Sequence, residues 1–365
     1  MNRLAIEKIG KVLREKGLDA VLVTPSEDLR YISQSDIMQC ERFQGLVIKA
    51  DGSYFYMCNE LYGAEVEAFM DGTEKIYLWH DDQKHTDAVL EAFNAYGLND
   101  KKIAVSLSAR YENLYPMAEA TGCQFVPGKL LLESARIKKE PDELVRLRMA
   151  SKISDEVFES LQAQLLPGIS EAEIRSLMEQ CFKEKQIGPT EFGGVIASGS
   201  NTALPHYMDD SRIIQKLDIL LLDFGCNYRG MNADTTRTVF IGGITPLQKE
   251  VYKIVQEANW EAERRAVEGA YIPDICMAAR KIIEKAGYGD YFNHRLGHGI
   301  GAYLHEAPEM TVHNRSVLER GMVFTIEPGI YLPGQFGVRI EDVVMINLSG
   351  KTEVLNQTPK ELRIL

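Results

Sequence analysis

Residues 218 to 241, DILLLDFGCNYRGMNADTTRTVFI, carry two aspartates in a setting that strains them. Two apolar segments, Asp218 to Phe224 and Ala233 to Ile241, flank a polar Asn227-Tyr228-Arg229-Gly230 reversal, which is the pattern of a β-hairpin. A reversal centred between Tyr228 and Arg229 sets Asp223 directly opposite Asp234. Facing Cβ atoms lie roughly 4.5 to 5.5 Å apart in such a pair, so two like charges destabilise it unless they share a proton or a cation. Tyr-Arg is not a preferred two-residue loop, and a bulge at Gly230 would shift this register.

Other readings of the aspartates compete with a cation. Asp-Phe-Gly after an apolar strand also occurs in protein kinases, but no His-Arg-Asp catalytic loop or glycine-rich phosphate loop accompanies it. A shared-proton acid pair of the aspartic protease kind needs a matched second half, and Asp234-Thr235-Thr236 has none. Plain surface charge is the third reading, and the downstream sequence decides against it.

Five of the seven histidines lie between 206 and 313. His298 sits in Leu296-Gly297-His298-Gly299-Ile300-Gly301, where alternate glycines allow close backbone approach. Glu327 ends an apolar strand that starts near Met322, and strand alternation puts Arg339 and Glu341 on one face of a run continuing through Val343 to Ile346. Charges rarely enter such strands without partners or metal. Together these residues form a donor set of carboxylate oxygen with one imidazole, suited to manganese, cobalt, magnesium or zinc rather than copper or an iron-sulfur cluster. Four carboxylates carry a charge that two divalent ions neutralise, so two metals are expected.

The elements that must position this set follow from the rest of the chain. With 365 residues, 45% hydrophobic and 26% charged, the composition fits a globular protein long enough for two domains. A net charge of -12 opposes nonspecific binding to nucleic acid. No apolar run approaches the roughly 20 residues of a membrane span, and MNRLAIEKIGKVLREKG reads as an amphipathic helix rather than a signal peptide. A cytoplasmic location is expected. The six cysteines are scattered without a Cys-x-x-Cys pair, which argues against a thiolate zinc site or a disulfide framework, and Cys226 reads as packing.

Residues 1 to 128 alternate helix and strand and predict an α/β domain with a mixed sheet, including an Asp51-Gly52 hairpin. His80 and His85 read there as surface or packing residues. Residues 129 to 138 are expected as a connector, with the catalytic domain from 139 to 365. Pro141 starts a long helix through about Leu166, and Ser170 with Glu173 and Thr245 with Gln248 form capping boxes. Residues 166 to 188 align with 267 to 289 at an offset of 101, matching Gly168 with Gly269 and Gly188 with Gly289. Two related αβ halves closing around one site explain that repeat.

The segments NTALPHY, LLLDFGC, NADTTRTV, HRLGHGIGAYLHEAP and GMVFTIEPGIYLPGQFGVRIEDVV resemble the proline-specific branch of the pita-bread metallopeptidases, the Xaa-Pro aminopeptidases and Xaa-Pro dipeptidases (prolidases). The match covers residues 139 to 365, and the N-terminal domain resembles a creatinase-type domain by layout. The resemblance implies an α+β fold, with a pita-bread domain of two pseudo-symmetric halves. It implies metal ligands at Asp223, Asp234, His298, Glu327 and Glu341, with Asp234 and Glu341 bridging two ions, manganese first and cobalt or zinc as alternatives. A water shared by two such ions is acidified and the scissile carbonyl polarised, while Glu327 moves the proton. His206 and His305 would orient substrate and stabilise the oxyanion, with His294 and Arg339 supporting the pocket. Short proline-containing peptides are the implied partners and a homodimer the implied assembly, with neither nucleic acid nor membrane. The sequence departs from the pattern in EFGGVIASGSNTALPHY, where a Ser-Phe-like opening is expected, and in Asn-Ala-Asp-Thr-Thr, where Ser-Asp-Met-Thr is commoner. Neither departure removes a ligand. Rival readings keep the fold and change the reaction, to a metal-dependent hydrolase or lyase acting on a non-peptide small molecule, or drop catalysis for binding alone.

Overall fold

The computed structural model describes residues 1–70, 72, 75–188 and 193–365, in two compact units, Met1–Arg136 and Ile137–Leu365. The opening of EFGGVIASG, Glu191 and Phe192, lies outside the described residues.

The first unit contains the strands β1 (Ala20–Val23), β2 (Gly45–Lys49), β3 (Tyr54–Asn59), β4 (Ile76–Trp79), β5 (Lys102–Val105) and β6 (Gln124–Pro127), joined in one mixed sheet of order β4-β3-β2-β1-β5-β6. Its helices are α1 (Arg3–Lys16), α2 (Glu27–Ser33), α3 (Gly63–Phe69), α4 (His85–Tyr96), α5 (Tyr111–Thr121) and α6 (Lys129–Arg136). The central strand shows why both sheet faces are covered. Val21 and Val23 join one core with Ile6, Ile9 and Leu13 of α1, while Ala20 and Leu22 join another with Val89, Ala92 and Phe93 of α4. A strand apolar on both faces needs a helix layer on each. The segment expected as a connector contains α6, whose Leu131, Leu132 and Ala135 are buried in the α1 core. An apolar stripe on one helical face turned that stretch into part of the first unit. His80 is a half-buried partner of Glu60, and His85 is half-buried against Phe43 and Trp79.

In the second unit, α7 (Pro141–Gln162) and α8 (Glu171–Glu184) precede β7 (Val195–Ser198), β8 (Ile219–Phe224), β9 (Asn227–Tyr228), β10 (Met231–Asn232) and β11 (Thr235–Phe240). Then α9 (Pro246–Arg265) and α10 (Ile272–Lys285) precede β12 (Gly297–Gly299), β13 (Glu306–Met310), β14 (Val323–Ile326), β15 (Gly329–Leu332), β16 (Phe336–Arg339), β17 (Asp342–Ile346) and β18 (Thr352–Val354). The capping boxes of α8 and α9 form as read from the sequence. The repeat is realised in three dimensions. Each end of α10 stands 101 residues after the matching end of α8, the offset read from the sequence. Gly168 and Gly269, at φ 97 and 80, donate their N–H groups to Ile214 and Leu318.

The halves present corresponding strand pairs. In the first, β8 lies between β7 and β11, and in the second β14 lies between β12 and β17. Asp223 stands near the end of β8 and Glu327 just past β14, whereas Asp234 and Glu341 immediately precede β11 and β17.

Two expectations are corrected here. The hairpin is centred on Arg229-Gly230, so Asp223 faces Thr236 rather than Asp234. Arg229 and Gly230, at φ 49 and 82, are both left-handed, as a tight two-residue hairpin loop of the primed type requires, and Tyr228 pairs with Met231 instead of entering the loop. The two aspartates are thus diagonal neighbours on one face. The run from Val338 to Ile346 is not one strand either, because β16 pairs with β15, β17 pairs with β14, and Ile340 and Glu341 lie between.

Gly225 marks the tightest approach in the hairpin. A Cβ there would lie 1.8 Å from the carbonyl oxygen of Ala233, next to Asp234. Backbone on both sides leaves nothing to yield cheaply. Gly225→Ala is expected to cost about 1–3 kcal/mol, as overpacking does, read as a lower melting temperature of the metal-free protein. An unchanged melting temperature would contradict this packing.

Candidate metal centre

A cavity of about 720 Å³ opens at the ends of these strands, and all of Asp223, Asp234, His298, Glu327, Glu341, His206, His294, His305 and Arg339 line it. The donor atoms fall into three overlapping groups, each within 4.8 Å: Asp223, Asp234 and Glu341; His298, Glu327 and Glu341; and Asp234, His298 and His305. Asp234 and Glu341 each belong to groups containing different partners.

Threonines and one arginine fix the carboxylates. Thr236 is bridged to Glu341 on one side and faces Asp223 on the other. Its hydroxyl donates to Glu341 Oε2 at 2.6 Å and accepts from Arg339 Nε at 3.0 Å. Thr325 Oγ1 donates to Glu327 Oε1 at 3.2 Å and accepts from the His298 backbone N–H at 3.1 Å. Arg339 Nη2 donates to Asp223 Oδ2 at 2.5 Å and its Nη1 to the Tyr331 hydroxyl at 2.8 Å. The guanidinium is therefore committed on several sides, an orientation a lysine could not reproduce.

The histidines divide into two kinds. His298 is buried, with Nδ1 facing the Gly299 carbonyl at 3.0 Å, so that Nδ1 carries the hydrogen and Nε2 is free toward Glu327 Oε1 at 3.5 Å and Asp234 Oδ2 at 3.7 Å. His294 is occupied at both nitrogens, by the Arg295 carbonyl at 2.7 Å and the Tyr331 hydroxyl at 3.0 Å. Burial, with Arg339 adding to it, holds His294 down to about 4, so it is neutral near pH 7. His206 and His305 are exposed to the cavity, and the His305 ring packs edge-on 4.0 Å from that of His298. His305, expected as a substrate contact, also falls within reach of the donor cluster.

Electrostatics set the demand for a cation. Burial, compounded by neighbouring carboxylates, raises the Asp234 and Glu341 carboxyls well above the ordinary range, and burial opposed by Arg339 pushes Glu327 up to about 7. Asp223 Oδ1 and Asp234 Oδ1 are buried with no hydrogen-bond partner. Orphaned carboxylate oxygens beside an acceptor imidazole are what a divalent ion requires, so these residues fit one.

Sequence reasoning missed Thr236, Thr325, Tyr331 and Arg295, which also lines the cavity. Thr236 shares a strand face with Asp234 by simple alternation, a signal that was available. The same alternation sets Thr325 two residues before Glu327, whereas nothing local marked Tyr331, whose partner His294 lies 37 residues away.

The fold and donor set define a class of proteins with two αβ halves closing on a carboxylate-and-histidine site suited to divalent ions. The chain belongs to metallopeptidase family M24, whose description matches residues 145–347, and residues 6–138 match the Creatinase/Prolidase N-terminal domain. An Xaa-Pro dipeptidase of Pyrococcus horikoshii is 31% identical over 98% of this chain and 98% of its own length. Among solved structures, a dipeptidase from Pyrococcus horikoshii OT3 is 34% identical with a TM-score of 0.91, covering 99% of this chain and 100% of that one. An X-Pro aminopeptidase from Thermotoga maritima is 29% identical with a TM-score of 0.83, covering 99% of each chain.

Burial raises the Asp234 and Glu341 carboxyls and pushes Glu327 up to about 7, so a divalent ion loading this cluster competes with protons. Calorimetry of manganese binding in two buffers of different ionisation enthalpy is expected to report proton release. Affinity is expected to fall as pH drops from 7 toward 5, since the protonated fraction grows in that direction. A buffer-independent heat would contradict it.

Proposed function

We propose that the chain is an Xaa-Pro exopeptidase holding two divalent ions, manganese first among them, and hydrolysing the bond before proline in dipeptides or at peptide N-termini. The observation that carries this reading is the convergence of Asp223, Asp234, His298, Glu327 and Glu341 in one cavity, with orphaned carboxylate oxygens turned inward. The close likeness to an Xaa-Pro dipeptidase and an X-Pro aminopeptidase supports the substrate class.

Asp223 and Asp234 would hold one ion and His298 and Glu327 the other, with Glu341 and Asp234 shared between them. The pair, when bound, supplies a water acidified to act near neutral pH and an electrophile for the substrate carbonyl. Glu327 would serve as the proton carrier of the site, accepting a proton at a carboxylate oxygen and giving one to the leaving proline nitrogen. His206 and His305, free to face substrate, donate to the carbonyl oxygen as it gains charge. His294 is tied through Tyr331 to Arg339, so it shapes the wall and holds Arg339 against Asp223 rather than touching substrate. Val195, Met208 and Leu304 give the cavity an apolar wall suited to a pyrrolidine ring. A bond to proline has no N–H, so this recognition needs no acceptor for one.

Short proline peptides are the partners of this reading, a homodimer its assembly and the cytoplasm its setting. No helix among the described residues is long and apolar enough to cross a membrane.

Manganese-loaded protein offered Ala-Pro, Ala-Pro-Ala and Ala-Ala-Ala in one pot, followed by mass spectrometry, tests the substrate class. Loss of Ala-Pro alone indicates a dipeptidase, and release of alanine from Ala-Pro-Ala an aminopeptidase. Attack on Ala-Ala-Ala equal to the others would overturn proline specificity. Glu341→Gln is expected to lower kcat by at least ~10³-fold, comparable to loss of an essential charge-stabilising group, with circular dichroism unchanged; near-normal turnover would remove Glu341 from the centre. His206→Ala should lower kcat/KM while leaving manganese affinity within about threefold, a small change beside the tenfold that 1.4 kcal/mol represents.

A further inference from the structure

Glu327 and Glu341 emerge where regular pairing fails. The β14–β17 ladder ends at Ile326 opposite Asp342, and the β15–β16 ladder begins at Gly329 opposite Arg339. Between them lie Glu327 and Pro328 on one chain and Ile340 and Glu341 on the other. Pro328 has no N–H to give, and only the N–H of Ile340 crosses the gap, to the Pro328 carbonyl at 3.4 Å. The N–H groups of Glu327 and Glu341 turn away from the gap to the Leu296 and Thr236 carbonyls, at 2.8 and 3.1 Å, so this one backbone bond is all that joins the two segments to each other there.

Asn259, fully buried on α9, reaches this gap from behind. Its Nδ2 donates to the Ile326 carbonyl at 3.0 Å and to the Ile340 carbonyl at 3.4 Å. Those carbonyls belong to the peptide groups from which Glu327 and Glu341 begin. One amide nitrogen thus holds both ligand-bearing segments.

An amide can turn over, and turned over it would set its oxygen against two carbonyl oxygens. Lys360 prevents this. Its ammonium donates to Asn259 Oδ1 at 2.9 Å and to both Glu263 carboxylate oxygens at 2.6 Å, and forms an ion pair with Asp342 at 2.9 Å. Asp342 in turn receives Arg237 Nη2 at 2.6 Å, and Arg237 Nη1 donates to the Glu341 carbonyl at 2.7 Å. The chain of contacts ends where it began, on the backbone of a metal-ligand candidate.

We infer that Asn259, oriented by Lys360, is a positioning residue that sets the spacing of Glu327 and Glu341 and thereby tunes the affinity of the centre for divalent ions. This inference rests on the metal reading above but not on its substrate. Neither residue touches the cavity, so each acts through the peptide groups it holds.

The test is manganese titration of full-length apo protein by calorimetry, with melting temperatures recorded alongside. Wild type is expected to take up two ions per chain. Lys360→Met and Asn259→Ser are expected to weaken manganese binding ~10-fold or more, the usual scale for outer partners of a metal site. Val255→Ala, a core truncation on the same helix, serves as the control for plain destabilisation. It should lower the melting temperature without that loss of affinity. If Lys360→Met does not fold, Asn259→Ser carries the comparison. Affinity losses no larger than those of Val255→Ala would overturn the inference. Wild type that takes up no manganese would overturn it together with the metal reading. Two ions bound without cleavage of Ala-Pro would sink only the substrate reading, and the variant affinities would still decide this one.

Discussion

Everything in the catalytic half answers to the mutual repulsion of four carboxylates held at the mouth of one cavity. At an effective dielectric near 20, a pair of unit charges about 4 Å apart repels by roughly 4 kcal/mol, against a total folding stability of about 5–15 kcal/mol. Full ionisation of Asp223, Asp234, Glu327 and Glu341 without a counter-charge would consume most of that margin. Arg339 answers one of them, Asp223. Burial and the neighbouring carboxylates raise the Asp234 and Glu341 carboxyls, so the charge that Arg339 leaves unanswered is met by protons or, on the metal reading, by cations.

The fold brings the charges together by using one arrangement twice. Each half caps a helix, passes through a left-handed glycine and lays down a strand pair whose carboxylates sit at its end, Asp223 with Asp234 and Glu327 with Glu341. Glycines let the strands close. A Cβ at Gly297 would lie 2.0 Å from the Thr325 carbonyl, beside His298. Because Asp234, Glu327 and Glu341 stand just outside the named strands and Asp223 next to the end of one, their side chains meet where threonine hydroxyls, Arg339 and the Asn259 amide can place them.

Much of this could be read from the chain. The repeat at an offset of 101 and the capping boxes are local patterns of type and spacing that the structure forms, and the five ligand candidates and the supporting histidines come together in one cavity. The failures have physical causes. The hairpin register went wrong because a tight turn is set by which residues tolerate left-handed backbone, and Arg229 adopts it beside Gly230. The break at Ile340 was invisible because apolar alternation continues through it while the pairing partner changes. Helix α6 reads as a connector because a short amphipathic helix shows its purpose only once the α1 core it fills is known. Asn259 and Lys360 gave no signal, being single polar residues whose partners lie far along the chain.

The central claim is that two cations complete this carboxylate cluster. Anomalous diffraction at the manganese edge, on crystals of manganese-loaded protein, tests it directly. The account predicts two peaks per chain inside the cavity, with Asp234 and Glu341 each within ligand distance of both. One peak, or none among these five side chains, would contradict it.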